Sequence, residues 1–155
     1  RPHPPFFVGG GGRRTLELAA READIVGLAP RIGAGGKVDA QSLTLAAARE
    51  KIDWVRAAAG DRFDALEFNI YPSGWPPMIT NDARAEARKV VDQVRSRTGY
   101  ELSEADVLDS PHVFIGSVDG LVEKFLRLRE DLGITSIMLG SYGELEPVLE
   151  RLSDQ

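Results

Sequence analysis

The chain has 155 residues, 43% of them hydrophobic and 28% charged, enough to bury an ordinary core in one domain and too apolar for a disordered segment. It has no cysteine, which excludes a disulfide framework, a thiolate nucleophile and a zinc-thiolate site, and His3 and His112 are its only imidazoles. A net charge of -5 without a basic run argues against nucleic acid or an anionic membrane as partner, and no apolar run approaches the roughly 20 residues of a membrane span, so a small-molecule partner and a cytoplasmic location are expected.

Taken in order, Arg1 to Pro5 reads as an extended proline-rich lead, and a start at arginine suggests a fragment of a longer chain. Phe6 to Val8 is a short apolar strand, ended by four glycines. Leu16, Leu18, Ala19, Ala20 and Ala23 then recur at helical spacing over Thr15 to Ala23. Ile25 to Ala29 is a second apolar run, suited to a strand covered on both faces, and Pro30 closes it before the loop "RIGAGGKVDAQ". A helix is expected from Ser42 to about Ala59, with Leu45, Ala48, Ile52, Val55 and Ala59 as its buried stripe and Gly60 as its stop.

The clearest strand is "FDALEFNIY" at 63 to 71, where Leu66, Phe68 and Ile70 alternate with Glu67, Asn69 and Tyr71. The three prolines of "PSGWPPMIT" predict a loop without regular structure. Thr80 to Asp82 cap a helix reaching Thr98 and stopped by Gly99; Ser103 and Asp106 have capping-box spacing before a short helix. "HVFIGS" reads as extended. Ser117 opens a further helix whose core face is Leu121, Val122, Phe125, Leu128 and Leu132, ended by Gly133. Ile134 to Leu139 is the last strand, and a helix over about Glu144 to Leu152 closes the chain, with Pro147 in its first turn.

Four strands, each followed by a helix, make the class α/β with parallel crossovers. In an open doubly wound sheet, Glu67, Asn69 and Tyr71 would be buried on one face at a cost; in a barrel they face the lumen. The expectation is therefore one domain over 1–155, the C-terminal half of a (β/α)8 TIM barrel made of four βα units. Its open edges call for the missing N-terminal half or a second copy, and hence a homo-oligomer.

Gly9, Gly10, Gly11 and Gly12 stand between a strand and a helix, where bare amides and a helix N-terminus cradle an anion, and Arg13 and Arg14 add charge there. The motif is not a complete dinucleotide fingerprint: the third glycine would be residue 14, which is Arg14, and Pro30 and Arg31 stand where a ribose-binding acid belongs. Arg31 could still meet the 2′-phosphate of NADP in an open-sheet domain. The lysine-bearing phosphate loop is absent.

The segments "PFFVGGGGRRTLELAAREADIV", "NDARAEARK" and "DSPHVFIGSVDGLVEKFLRLREDLGITSIML" resemble the C-terminal half of the bacterial luciferase-like monooxygenases, in the branch that uses the deazaflavin coenzyme F420. The resemblance covers nearly the whole chain. It implies strands five to eight of a (β/α)8 barrel, and hydride transfer between a flavin-type cofactor, F420 or else FMN, and an organic substrate. It also implies that Gly9 to Arg13 hold the cofactor phosphate. The half that supplies much of the ring contact in that family would lie upstream, so the fragment is expected to be inactive alone. A non-catalytic half-barrel serving as a structural or dimerisation unit is the competing reading.

Other candidates are fewer. Glu67, Asn69 and Tyr71 could meet substrate or form a satisfied polar layer; Arg31 and Lys37 could meet an anionic substrate or cofactor tail, or be merely solvated. Trp75, among Pro72, Pro76 and Pro77, is a lid or a loop anchor. His112 reads as structural, His3 as part of a linker, and Glu86 with Arg88 as a solvated helix face. No nucleophile-base pair and no metal cluster follow from spacing.

Overall fold

Four short strands set the frame of the computed structural model, which describes residues 3–139 and 143–153. Of the expected extended lead, Arg1 and Pro2 lie outside the described residues. In chain order the elements are β1 (Phe7–Gly10), α1 (Arg13–Glu22), β2 (Ile25–Leu28), α2 (Leu45–Ala59), β3 (Glu67–Ile70), β4 (Met78–Ile79), α3 (Ala83–Thr98), α4 (Glu104–Asp109), β5 (Ile115–Gly116), α5 (Val118–Leu132), β6 (Ile134–Ile137) and α6 (Glu146–Ser153). The main sheet has the order β1-β2-β3-β6, parallel throughout.

That order never reverses, so the sheet lacks the switch point at which doubly wound folds open a nucleotide crevice. Right-handed crossovers running in one direction place the connecting helices on one face. Burial agrees. Val26, Leu28, Phe68 and Ile70 point from β2 and β3 into one cluster with Leu16, Ala19 and Ala20 of α1, Ile52 and Val55 of α2, and Leu121, Phe125 and Leu128 of α5. On the opposite face Phe7, Gly9 and Glu67 are exposed, while Gly27 and Asn69 are covered. The chain is thus an α/β protein with a partial TIM-barrel-like arrangement. Among the described residues no helix is long and apolar enough to cross a membrane.

Helix boundaries follow local chemistry. Asp82 accepts from the Ala85 amide at 3.1 Å, Ser117 from Gly120 at 3.1 Å, and Ser103 and Asp106 make both bonds of a capping box. Gly99 and Gly133 end their helices at φ of 73° and 66°, a left-handed conformation that glycine adopts without steric cost.

Four expectations need correction. The first strand is Phe7–Gly10 rather than Phe6 to Val8, so Gly9 and Gly10 belong to it and only Gly11 and Gly12 form the turn into α1. Ser42 does not open α2: it is buried in a short helical turn over 40–43, its Oγ accepting from Arg31 N at 2.7 Å and donating to Asp39 O at 2.6 Å, and Thr44 caps α2 by accepting from Ala47 N. The strand expected from 63 begins at Glu67, because residues 60–65 coil into a 3-10 segment. Its Arg62 donates to the carbonyls of Ala20 (2.8 Å), Arg21 and Ala23 (2.9 Å), occupying acceptors that the end of α1 leaves free. Finally, the proline-rich loop does contain regular structure past its last proline: β4 pairs in parallel with β5, Met78 N donating to Phe114 O and Thr80 N to Gly116 O, both at 2.8 Å.

A second hydrophobic cluster joins Ala40 and Leu43, α3 residues Ala87, Val90 and Val94, and Leu102, Val107, Val113 and Ile115. It lies beside the main core and anchors the loop after β2. Replacing Arg62 by methionine removes three carbonyl contacts at the negative end of α1 and should lower stability by about 1–2 kcal/mol, read from urea unfolding with an unchanged m-value.

Candidate functional site

The four glycines have different reasons to be glycine. A Cβ on Gly10 would stand 2.6 Å from Thr15 Cγ2, and one on Gly11 would overlap the Pro30 carbonyl and come within 2.7 Å of Arg31 Cα. A Cβ on Gly9 would stand 3.2 Å from the Phe7 ring, a tight contact that this exposed side chain can relieve by a small shift. Close approach therefore accounts for Gly10 and Gly11, and none of the four takes a positive φ. Around Gly12 nothing lies within 4 Å of an added Cβ.

Gly12 is the N-cap of α1, extended at φ -102° and ψ 150°, with no side chain accepting from the first-turn amides and no acid in that turn. Those amides and the positive end of the helix dipole are left to solvent or a ligand. The flanking arginines differ. Arg13 is held by Glu17 at 2.7 Å along the helix, so part of its charge is spent, whereas Arg14 makes no ion pair among the described residues.

Beside this turn, Gly11, Arg31, Gln41, Ser42, Thr44 and Lys51 line a cleft of about 520 Å³. Lys51 is almost wholly buried, yet its Nζ donates to Ala29 O at 2.7 Å and Ser42 O at 3.0 Å. Burial first, and then the Arg31 charge, lower its pKa to about 8, against the pull of Asp39 and Glu50. Arg31 is fixed by Asp39, at 2.9 Å from Nε and 2.5 Å from Nη2. A backbone bond from Ala29 N to Gly10 O (3.0 Å) joins this tether to the glycine turn.

The residues of β3 separate along the strand. Asn69 is buried, its Nδ2 donating to Ser136 Oγ at 2.8 Å while Oδ1 has no partner among the described residues. Tyr71 follows the C-terminal end of β3, 38% exposed, and meets His112 edge to face at 6.4 Å. With Trp75, Pro76, Met138 and Glu144 it lines a crevice of about 520 Å³. Glu67 lies at the other end of the strand, roughly 13 Å from Tyr71 at a rise of about 3.3 Å per residue. Asn69 and Tyr71 thus share the end of the sheet that carries the glycine turn, and Glu67 does not. Lys37 and Trp75 stand together around another hollow; His3 stacks on Phe6 at 4.7 Å, and on the α3 surface Arg88 pairs with Glu104 and Glu86 with Lys89.

His112 is fully buried, with Nδ1 at 3.2 Å from Tyr71 O and Nε2 lacking a partner among the described residues. Burial, followed by the Lys51 charge, lowers its pKa to about 4. Sequence reasoning missed Lys51 and the similarly buried Lys124, which donates to Leu108 O at 2.5 Å and Val113 O at 2.6 Å. The signal was present: Lys51 stands between Ala48 and Val55, and Lys124 between Leu121 and Leu128, each on an apolar helical stripe. Among the described residues no cluster of metal-ligating side chains exists.

Two outcomes follow from this geometry. Gly11→Ala should cost about 1–3 kcal/mol through overpacking against Pro30, while Gly12→Ser should leave the melting temperature unchanged or raise it by capping α1; calorimetric melting of both checks this. For His112, the unfolded chain takes up a proton near pH 6.5 and the folded chain near 4, so stability is lost as pH falls across that window, by up to about 3 kcal/mol. The slope of stability against pH between these values should flatten in His112→Gln.

No family model matches the sequence, and no curated protein matches it. Solved structures do. A long-chain alkane monooxygenase, LadA, aligns over 97% of this chain and 39% of its own, with 17% identity and a TM-score of 0.51. A riboflavin lyase, RcaE, solved with modified FMN and its substrate riboflavin, aligns over 97% of this chain and 43% of its own, with 15% identity and a TM-score of 0.60. The chain thus spans about two fifths of each of these proteins, with which it shares a fold.

Proposed function

We propose that this chain is the C-terminal half of a luciferase-like (β/α)8 oxidoreductase, and that the uncapped start of α1 receives the phosphate of a flavin-type cofactor. The observation that carries the reading is Gly12. Gly10 and Gly11 are glycine because the protein itself fills the space of a Cβ; Gly12 opens onto free space at a bare helix N-terminus. A phosphate there meets unpaired amides and the helix dipole. Along the adjoining cleft Arg31 and Lys51 add positive charge, offset in part by Glu50 in the same lining, and Asp39 limits how far Arg31 can swing.

FMN and F420 both carry such a phosphate, and the likeness to a lyase solved with modified FMN supports the flavin. When bound, the cofactor supplies the hydride chemistry. The chain's own part is to hold the phosphate and to present Asn69 and Tyr71 from the same end of the sheet, where Asn69 Oδ1 is an acceptor with no partner among the described residues. The outer edges of β1 and β6 pair with no strand among the described residues, and the missing half-barrel or a second copy would complete them.

Titration of the intact protein with FMN and F420 tests the reading. Gly12→Asp caps α1 with a carboxylate, so it should keep or raise the melting temperature while weakening cofactor binding about tenfold or more. Gly12→Ser, whose hydroxyl competes for the same amides without adding charge, should weaken binding less than Gly12→Asp does. Equal affinity in parent and Gly12→Asp removes the helix start from the site.

A further inference from the structure

Away from the glycine turn, a hollow of about 500 Å³ lies between the hairpin loop after β2, the 72–77 loop and the last turns of α3. Its volume falls in the range of small-molecule sites. Val38, Ala40, Leu43, Trp75 and Val94 form apolar walls, Lys37 and Arg97 are its charged residues, and no carboxylate lines it. The walls are fixed. Trp75 Nε1 donates to Gln93 Oε1 at 3.0 Å, Ser110 Oγ donates to Leu43 O at 2.6 Å, and an antiparallel bridge joins Ile32 to Val38.

The polar groups at its edge are mostly spent inside the protein. Thr98 Oγ1 donates to Val94 O at 2.8 Å, and the Lys37 carbonyl accepts from Gly33 N at 2.7 Å. The charges are different. Arg31 and Arg95, near them in sequence, pair with Asp39 and Asp92, yet Lys37 and Arg97 pair with no carboxylate among the described residues. What remains is an apolar hollow with two uncompensated cations.

We propose that this hollow binds an apolar organic anion, an alkyl or aryl carboxylate, with its hydrocarbon part along Val38, Leu43, Val94 and the Trp75 ring and its carboxylate at Lys37 and Arg97. A neutral ligand of the same shape would gain the apolar burial alone, and a free inorganic anion only the exposed charges. Recognition therefore needs both parts in one molecule. The hollow is distinct from the glycine cleft, with the turn over 40–43 between them giving Ala40 and Leu43 to the hollow and Gln41 and Ser42 to the cleft, and Gly74 and Trp75 also border the crevice at Tyr71.

Calorimetric titration of the intact protein with decanoate and 1-decanol, below their solubility limits, tests the proposal. Decanoate should bind saturably and about three- to tenfold more tightly than 1-decanol, the range set by two partly exposed ion pairs. The double variant Lys37→Gln/Arg97→Gln, altered only at exposed side chains, should lose that preference and keep its affinity for the alcohol. Gly12→Asp should bind decanoate as the parent does, which separates failure here from failure of the cofactor site. Equal affinity for acid and alcohol, no saturable binding of decanoate, or a preference that survives in the double variant overturns the assignment.

Discussion

The constraint on which the rest depends is the approach of the Gly11 backbone to the Pro30–Arg31 peptide. It seats the turn after β1 directly on the turn after β2, with no side chain between them. The parallel register of Phe7 with Ile25 through Gly10 with Leu28 brings both turns to the same end of the sheet, and the bond from Ala29 N to Gly10 O fastens them. Gly12 and the start of α1 are thereby presented beside Arg31, with no side chain capping the helix. A single added methyl group at Gly11 separates the two turns, which no side-chain rotation relieves, since the atoms in the way are main chain.

The second support is a buried amine. Lys51 gives up hydration to bind the carbonyls of Ala29 and Ser42, and Ser42 in turn accepts from the Arg31 amide. Burying a charge is costly unless its hydrogen bonds are satisfied, so the lysine stays only because strand end and loop turn offer oxygens together. Lys124 does the same for the end of α4 and the segment before β5, with the Phe114 ring 5.5 Å from its amine. In both places irregular backbone is organised by one buried amine rather than by a hydrophobic plug.

Much of this was legible in the sequence where the signal is local. Caps at Asp82, Ser103 and Ser117 and stops at Gly99 and Gly133 act within four residues, so the pattern alone locates the helix ends. The alternation at Leu66 to Tyr71 separated an apolar face from a polar one but gave no sign that Asn69, on the polar side, is buried. What could not be read depends on distant partners. Arg62 shortens β3 because the end of α1 lies next to it, over 40 residues upstream in the chain, and Ser42 is taken from α2 by Asp39 and Arg31. The β4–β5 pair needs Phe114 and Gly116 to meet a segment that the prolines seemed to exclude. At the candidate site, the glycine run was visible at once, but telling the packing glycines, Gly10 and Gly11, from the open Gly12 required the positions of Thr15 and Pro30.

The two hydrophobic clusters also set how the molecule can come apart. The loop after β2 carries Arg31 at one end and is anchored at the other by Ala40 and Leu43 in the smaller cluster, away from the sheet. Opening of that smaller unit releases the loop while β1, β2 and β3 remain closed, since their buried residues belong to the larger one. Slow amide exchange should therefore divide the chain by core rather than by sequence, with Leu43 exchanging alongside Val94 and Val113, residues far from it in the chain.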